Sequence, residues 1–294
     1  VGTYVKNNIG FAPQPGETED NIPSGVYSVE EDWQGNMSLK PVKFPSDETL
    51  SLPGLPIDLV LEQTEAFWTS HERYAKYRFL HKRGFMFYGP PGCGKTCLTK
   101  ILCDYVISKD GVVIIINEYT RTIRALSAIR KIESERRIMT LAEDIDSTLA
   151  KDRNVQEPAA LSLYSGQESH AGVLHVATTN NPEDIADRFI KRPGRFDLVV
   201  GIHAPTAITR EAYLRHVCGT EVSETKLKAL VEKTEGLGLS YLKEIATSHL
   251  CLDKDLDEVT ESLRKSFKTK YKGTGQTGFS VGYHFEDKEE EVAA

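Results

Sequence analysis

The residues with the plainest chemical purpose form one run, Gly89-Pro90-Pro91-Gly92-Cys93-Gly94-Lys95-Thr96, which fits the spacing G-x-x-x-x-G-K-[ST]. Glycines at these places let successive backbone N–H groups turn toward one point. The result is an anion nest completed by the first turn of a following helix. Lys95 brings a mobile positive charge to the β- and γ-phosphates of a nucleotide, and the Thr96 hydroxyl is a ligand for Mg²⁺. Gly89, Pro91, Gly92, Cys93, Gly94, Lys95, Thr96 and Cys97 are the expected nucleotide-binding residues. Cys93 and Cys97 stand at i and i+4, but with no second pair and no histidine nearby they do not make a zinc site. Cys93 fills a small-side-chain position in the loop. Its place beside a helix N-terminus predicts a lowered thiol pKa, with alkylation there blocking nucleotide binding.

Phosphoryl chemistry also needs a carboxylate for the metal and a base or water-orienting group at the end of a neighbouring strand. The run from Ile138 to Ala142 followed by Glu143-Asp144-Ile145-Asp146 has that form. Thr96, Glu143 and Asp144 are the expected metal-side residues. Asn180 closes the next apolar run, where an amide either orients water, touches a γ-phosphate or simply caps the turn before Pro182. Arg192-Pro193-Gly194-Arg195-Phe196-Asp197 holds two arginines about a Pro-Gly turn. Such a pair serves a surface salt bridge or donates to developing phosphate charge.

These groups meet only if a scaffold gathers several strand ends. Phe85–Tyr88, Val112–Ile116, Ile138–Ala142, Val173–Ala177 and Asp197–Ile202 read as short apolar strands. Val112–Ile116 is almost wholly β-branched, as suits a strand buried on both faces. Helices are expected near 95–108 and 120–135, and an amphipathic one, carrying Leu59, Val60, Phe67, Tyr74 and Tyr77, from LPGLP (52–56) to about His81. The alternation predicts an α/β domain with a mostly parallel sheet. After Pro205 four helices are expected, near 208–218, 223–234, 239–250 and 255–270. Residues 6–24 lack periodicity and read as a loosely ordered arm. GVYSVE (25–30) and MSLKPVKF (37–44), separated by EDWQGN, predict a hairpin with Pro41 on an edge strand.

In this order and spacing, GPPGCGKT, the strand ending EDID, ATTN (177–180) and RPGRFD (192–197) resemble the AAA+ ATPases, specifically the AAA group with a second region of homology. The resemblance covers about residues 50–250. It implies a RecA-like P-loop NTPase domain with a parallel sheet over 46–205 and a small C-terminal helical lid over 206–272. An N-terminal arm and β-hairpin (1–45) precede them, and an acidic tail (273–294) follows. It further implies ATP/ADP and Mg²⁺, nucleotide at subunit interfaces, and a homo-oligomeric ring, a hexamer with a heptamer as alternative. Asn180 is similar to sensor 1, and Arg192 and Arg195 are similar to arginine fingers that reach a neighbour's ATP. TEGLGLSYLKE (234–244) resembles the lid-helix motif, with Leu239 and Ser240 replacing its usual Gly-Ala.

Two departures matter. The family ends the acidic strand Asp-Glu, whereas here Glu143 takes the metal position and Asp144 the base position. That order resembles the mitochondrial Rieske-protein translocase. Moving one methylene between the two carboxylates matters because a misplacement of about 1 Å costs roughly 10²-fold in rate. Secondly, the stretch that carries an aromatic-apolar-Gly pore loop in unfoldases reads Asn117-Glu118-Tyr119-Thr120-Arg121 and has no glycine. Tyr119 faces a pore, the core or solvent. Arg121, Arg124, Arg130, Lys131, Arg136 and Arg137 cluster in one predicted helix against Glu133 and Glu135, as a pore- or nucleic-acid-facing strip or, better, as a solvated helix face with i, i+3 and i, i+4 ion pairs.

Composition bounds the reading. With 294 residues, 39% of them hydrophobic, the chain is not disordered throughout, and no apolar run is long enough to cross a bilayer. A net charge of −7 does not favour nucleic acid or anionic membrane. Five cysteines, three of them on one helix, and an N-terminal stretch without a signal-peptide pattern point to a reducing compartment, the cytoplasm, or the host cytoplasm for a viral chain. The chain opens on Val1, as a trimmed end would. The expected function is a Mg²⁺-dependent ATP hydrolase whose ring remodels or translocates a macromolecule, protein in preference to nucleic acid. The alternative is an ATP-dependent assembly scaffold or switch with very slow hydrolysis. The paired arginines and helical lid disfavour a small-molecule kinase, and a DNA clamp-loader lacks an obvious DNA-binding module.

Overall fold

Five strands carry the molecule: β5 (Lys82–Tyr88), β6 (Val112–Ile115), β7 (Ile138–Ala142), β8 (Val173–Thr179) and β9 (Leu198–Gly201). They pair in parallel in the order β6-β7-β8-β5-β9. This is a computed structural model, and it describes residues 4–6, 10–13, 20–43, 50–167, 171–182, 185, 189, 192 and 194–270; the expected acidic tail lies outside them. Every residue of β7 and β8 is buried, which explains their near-continuous apolar sequence. His175, inside β8, is accommodated by a 2.8 Å hydrogen bond between its Nδ1 and Thr140 Oγ1.

Helices cover both faces. One face packs α1 (Ile57–Thr69) and α3 (Lys95–Ser108) around Val60, Phe67, Leu98, Leu102, Phe85 and Phe87. The other packs α4 (Tyr119–Ile132) and α6 (Arg153–Ser165) around Leu126, Ile129, Leu163, Tyr164 and Met86. Between α1 and β5 lies α2 (His71–Tyr77), and α5 (Ile145–Ala150) follows β7. The remaining helices, α7 (Ala207–Cys218), α8 (Glu224–Lys233), α9 (Leu239–Leu250) and α10 (Leu256–Lys270), gather about a separate apolar cluster that includes Leu214, Leu230, Leu242 and Ile245.

Five expectations change. The single helix expected from LPGLP to His81 breaks at Ser70, and β5 begins at Lys82, three residues earlier than its apolar run. Lys82–Gly84 join the sheet because they continue the β5–β8 register, Lys82 opposite Val173. Helices α5 and α6 went unforeseen. The buried face of α6 includes Gln156 and Glu157, and Pro158 sits inside the helix, so its apolar periodicity is half erased. The arm is not loose throughout. Strand β2 (Phe11–Pro13) pairs with β1 (Tyr4–Lys6) and with β4 (Met37–Pro41) at Phe11↔Leu39. Ile22 is wholly buried, with its N–H 3.0 Å from Glu133 Oε1 and its carbonyl 2.7 Å from Arg136 Nη2. Finally, the hairpin of β3 (Gly25–Glu31) and β4 extends the main sheet, because β3 lies parallel to β6. The full order is β1-β2-β4-β3-β6-β7-β8-β5-β9.

Candidate nucleotide site

The glycine-rich loop leaves the C-terminal end of β5, and β8 beside it and β7 beyond β8 end at the same edge. Gly89 N–H donates to Thr179 O at 3.3 Å, tying the loop to the end of β8. Gly94 precedes Lys95 at the head of α3 in the left-handed conformation. Lys95 is buried, and its Nζ lies 2.6 Å from Gly89 O and 2.9 Å from Pro90 O. Burial lowers its pKa, while Cys93, Asp144 and Asp146 act in the opposite direction. The cation is therefore held within its own loop, by partners that incoming phosphate oxygens can replace.

A cavity of about 530 Å³ opens over this loop, within the range of ligand sites. Pro91, Gly92, Gly94, Lys95, Thr96 and Cys97 line one wall, and Glu143, Asp144 and Asn180 line another. Leu239 and Ser240, from the N-terminus of α9, close it from the lid side. Ser240 N–H donates to Gly92 O at 3.2 Å. Gly92 has φ of +75°, and a Cβ placed there would stand 2.0 Å from Ser240 Oγ and 3.0 Å from its Cβ, so loop and lid touch only because the position is bare. Gly89 and Cys93 are not on the cavity wall. Cys93 is buried behind it, and burial raises its thiol pKa, outweighing Lys95, so the expected lowered pKa is corrected.

The acids have distinct surroundings. Glu143 is half-buried, and desolvation followed by the charge of Asp144 raises its pKa. Asp144 adopts φ +46°, ψ +62°, a strained left-handed turn that redirects the chain at the strand end. Its N–H donates to Thr178 Oγ1 at 3.0 Å, and Asn180 Nδ2 donates to its Oδ1 at 3.0 Å. The amide of Asn180 is thus aimed at the carboxylate instead of capping a turn. Asp146, the third acid, accepts from Thr179 Oγ1 at 3.1 Å. The described residues contain no group of three or more His, Cys, Asp or Glu suited to a metal. One hydroxyl and two carboxylates beside a phosphate pocket nevertheless suit Mg²⁺, which takes few protein ligands and completes its shell with water and phosphate oxygen. Sequence reasoning missed Leu50, Leu52, Thr178, Tyr213 and Lys243 on the cavity wall. Lys243 was legible in retrospect, four residues after Leu239 on the same helix face, whereas Tyr213 reaches the cavity from α7.

Residues 85–204 match the family model described as ATPase family associated with various cellular activities (AAA). The chain is also 29% identical over 223 residues to a proteasome-activating nucleotidase of Methanosarcina mazei, covering 69% of this chain and 53% of that protein. It is 31% identical over 222 residues to the one from Methanothermobacter thermautotrophicus, covering 68% and 53%. With that of Pyrococcus horikoshii it shares 31% identity over 182 residues, covering 56% and 45%. The chain belongs to the AAA+ ATPases. It spans about half the length of the curated relatives it matches.

In this AAA protein the arginines do not join the other site residues. Lys82 Nζ, at the start of β5, lies 2.7 Å from Gly194 O and 3.5 Å from Arg195 O. Asp197 N–H donates to Gly84 O at 2.7 Å, and a Cβ on Gly84 would come within 2.0 Å of Arg195 O. Arg195 therefore sits at the N-terminal end of β5 and the phosphate loop at the other end, about 20 Å away along seven residues. Arg192 is exposed. Tyr119 does not face a pore: it is fully buried, its hydroxyl 3.1 Å from that of Tyr164. The basic cluster is ion-paired, and Arg136 and Arg137 lie beyond the end of α4, in the segment before β7. Arg121 meets Glu31 and Glu118, Arg124 meets Glu31, Arg136 meets Asp110 and Glu133, and Arg137 meets Glu65. Arg130 donates to the carbonyls of Glu133, Ser134 and Arg136. Among the described residues no helix is long and apolar enough to cross a membrane.

Proposed function

We propose that this AAA+ ATPase works as a homo-oligomeric ring, a hexamer before a heptamer, in which ATP hydrolysis drives remodelling or translocation of protein. The observation that carries the reading is the separation of Arg195, three residues after Arg192, from its own phosphate loop by the length of β5. No side chain bridges that distance, so its charge serves a nucleotide held by an adjacent copy, whose own far edge is free to serve the next. In this reading Lys95 binds the β- and γ-phosphates, Leu239 and Ser240 close over them from the lid, and Asn180 orients the attacking water beside Asp144. Asp144 takes the water's proton, and Glu143 with Thr96 holds Mg²⁺. The metal supplies charge neutralisation across the phosphate oxygens. The names of the relatives support protein as the substrate, and the net charge of −7 supports it over nucleic acid. A cytoplasmic location and the division into hairpin (1–45), α/β (46–205) and lid (206–272) units belong to the same proposal.

An arginine supplied in trans contributes about 10³–10⁵ in rate. Specific activity should therefore rise with protein concentration through the assembly range, and Arg195→Ala should abolish turnover in assembled protein. Mixing Arg195→Ala with Asp144→Asn subunits should restore part of it, because each mutant lends the other its intact half-site. Flat specific activity with no complementation would overturn the reading. A second reading, an ATP-dependent scaffold with very slow hydrolysis, is favoured by the Glu143-Asp144 order. Steady-state phosphate release from assembled wild type no faster than from Asp144→Asn would establish it instead.

A further inference from the structure

Lys82, the first residue of β5, directs its ammonium at three backbone carbonyls. Its Nζ donates to Tyr164 O at 2.7 Å, to Gly194 O at 2.7 Å and to Arg195 O at 3.5 Å. An ammonium has three protons to donate, and this set engages all of them. Burial lowers the Lys82 pKa, with the charge of Asp197 acting against that fall. The acceptors come from two segments. Tyr164 lies in the last turn of α6, and Gly194 and Arg195 belong to the turn that carries the paired arginines.

The two carbonyls in that turn flank the Arg195 Cα. A peptide unit is planar, so a held carbonyl fixes its whole plane. A residue with both flanking planes held keeps its φ, its ψ and the direction of its Cα–Cβ bond. The plane after Arg195 has further support. Asp197 N–H donates to Gly84 O at 2.7 Å, and Gly84 N–H donates to Asp197 Oδ2 at 2.9 Å. Gly84 is bare, and a Cβ there would stand 2.0 Å from Arg195 O, so this carbonyl seats directly on the β5 backbone. Phe196 is buried beside the Tyr164 ring, with centroids 4.8 Å apart. Tyr164 therefore steadies the turn through its ring, and through its carbonyl by way of Lys82.

We infer that Lys82 is a positioning residue for Arg195, fixing the backbone on both sides of the arginine and so setting where its guanidinium arrives in the adjacent copy's nucleotide site. This rests on the proposed action of Arg195 in trans. A guanidinium recognises phosphate through a rigid fork, and its usefulness depends on the angle and depth at which it is presented. Lys82 and the phosphate loop occupy opposite ends of one strand, yet they serve different nucleotides. Lys95 holds the ATP of its own subunit, and Lys82 acts on the ATP next door.

The test uses the full chain assembled with Mg²⁺ and ATP, with phosphate release as the readout. Lys82→Met should lower kcat about 10²-fold and Lys82→Gln, which keeps one donor group, about tenfold, as expected for a misplacement of about 1 Å or less. Fluorescent-nucleotide affinity should stay close to that of wild type in both. Mixed assemblies then reveal which side of the interface is impaired. Equal parts of Lys82→Met and Asp144→Asn should recover about a quarter of the wild-type rate, because in a head-to-tail ring one interface in about four joins an intact phosphate site to an intact arginine turn. Such recovery requires folded Lys82→Met subunits. Lys82→Met mixed with Arg195→Ala should turn over no faster than Lys82→Met alone, since both impair the same side. Wild-type kcat in both Lys82 variants overturns the inference, as does recovery in the mixture with Arg195→Ala. It is equally overturned if Asp144→Asn rescues Arg195→Ala but neither Lys82 variant, because Lys82 then acts on its own site or on folding at large. If Asp144→Asn fails to rescue Arg195→Ala, the action in trans is itself removed, and this inference with it.

Discussion

The contact between Gly92 and Ser240 converts a single methyl group into a measurable test of the lid. Gly92→Ala has two separable costs. One is local: an alanine at φ +75° bears about 1–2 kcal/mol of left-handed strain whatever lies nearby. The other is steric. Ser240 Oγ, at 2.0 Å from the new methyl, can swing to another rotamer, but Ser240 Cβ, at 3.0 Å, moves only with α9. A comfortable carbon–carbon separation is about 3.5 Å, so the lid helix must retreat by about 0.5 Å. Since about 1 Å costs roughly 10²-fold in rate, half that shift predicts a kcat about tenfold lower. Ser240→Gly removes both offending atoms and leaves Ser240 N at 3.7 Å. In a double-mutant cycle, Gly92→Ala on the Ser240→Gly background should therefore cost less than about threefold in kcat, while the loss in unfolding free energy of about 1–2 kcal/mol persists. Phosphate release and chemical denaturation read the two quantities independently. Equal tenfold losses on both backgrounds would refute the idea that loop and lid are coupled through this contact.

Two further outcomes follow from the acidic strand end. Glu143 has a raised pKa in the fold, so its stabilising contribution is complete below the ordinary glutamate range and is lost as pH rises through the folded value. Glu143→Gln should accordingly raise the Tm of nucleotide- and metal-free protein at pH 7.5, with the gain closing as pH falls toward the glutamate range; a gain independent of pH would contradict this. Asn180→Asp replaces the donor 3.0 Å from Asp144 Oδ1 with a like charge, so kcat should drop about 10²–10³-fold while fluorescent-nucleotide affinity changes little, and full turnover would rule out Asn180 as the water-orienting group.

Much of the catalytic edge was legible because its chemistry is local. A nest of N–H groups, a lysine and a hydroxyl must follow one another within a single turn, so the run from Gly89 to Thr96 declares itself without tertiary information. The same holds for β7 and the acids after it, because a strand buried on both faces is apolar throughout and its end is marked by the first charge. Polar groups used in the interior were harder to read. Gln156 looks like a surface residue, yet its side-chain carbonyl receives the buried N–H of Tyr119 at 2.9 Å. Lys82 looks like a solvated cation, yet it fastens the carbonyls of Tyr164 and Gly194. Each is paid back by hydrogen bonds to partners tens of residues away, which no periodicity records.

The amino-acid sequence alone determined the phosphate loop, the acidic strand end, the five central strands, and the family to which they belong, because each depends on neighbours along the chain. The tertiary structure alone decided which groups meet. It turned Tyr119 into the core, paired Arg121 and Arg124 with Glu31 of the hairpin and Arg137 with Glu65 of α1, and brought Ser240 against Gly92. It also set Arg195 at the far end of β5 from Lys95. Those outcomes depend on strand direction and register, and a parallel sheet sends everything after a strand to one edge and everything before it to the other.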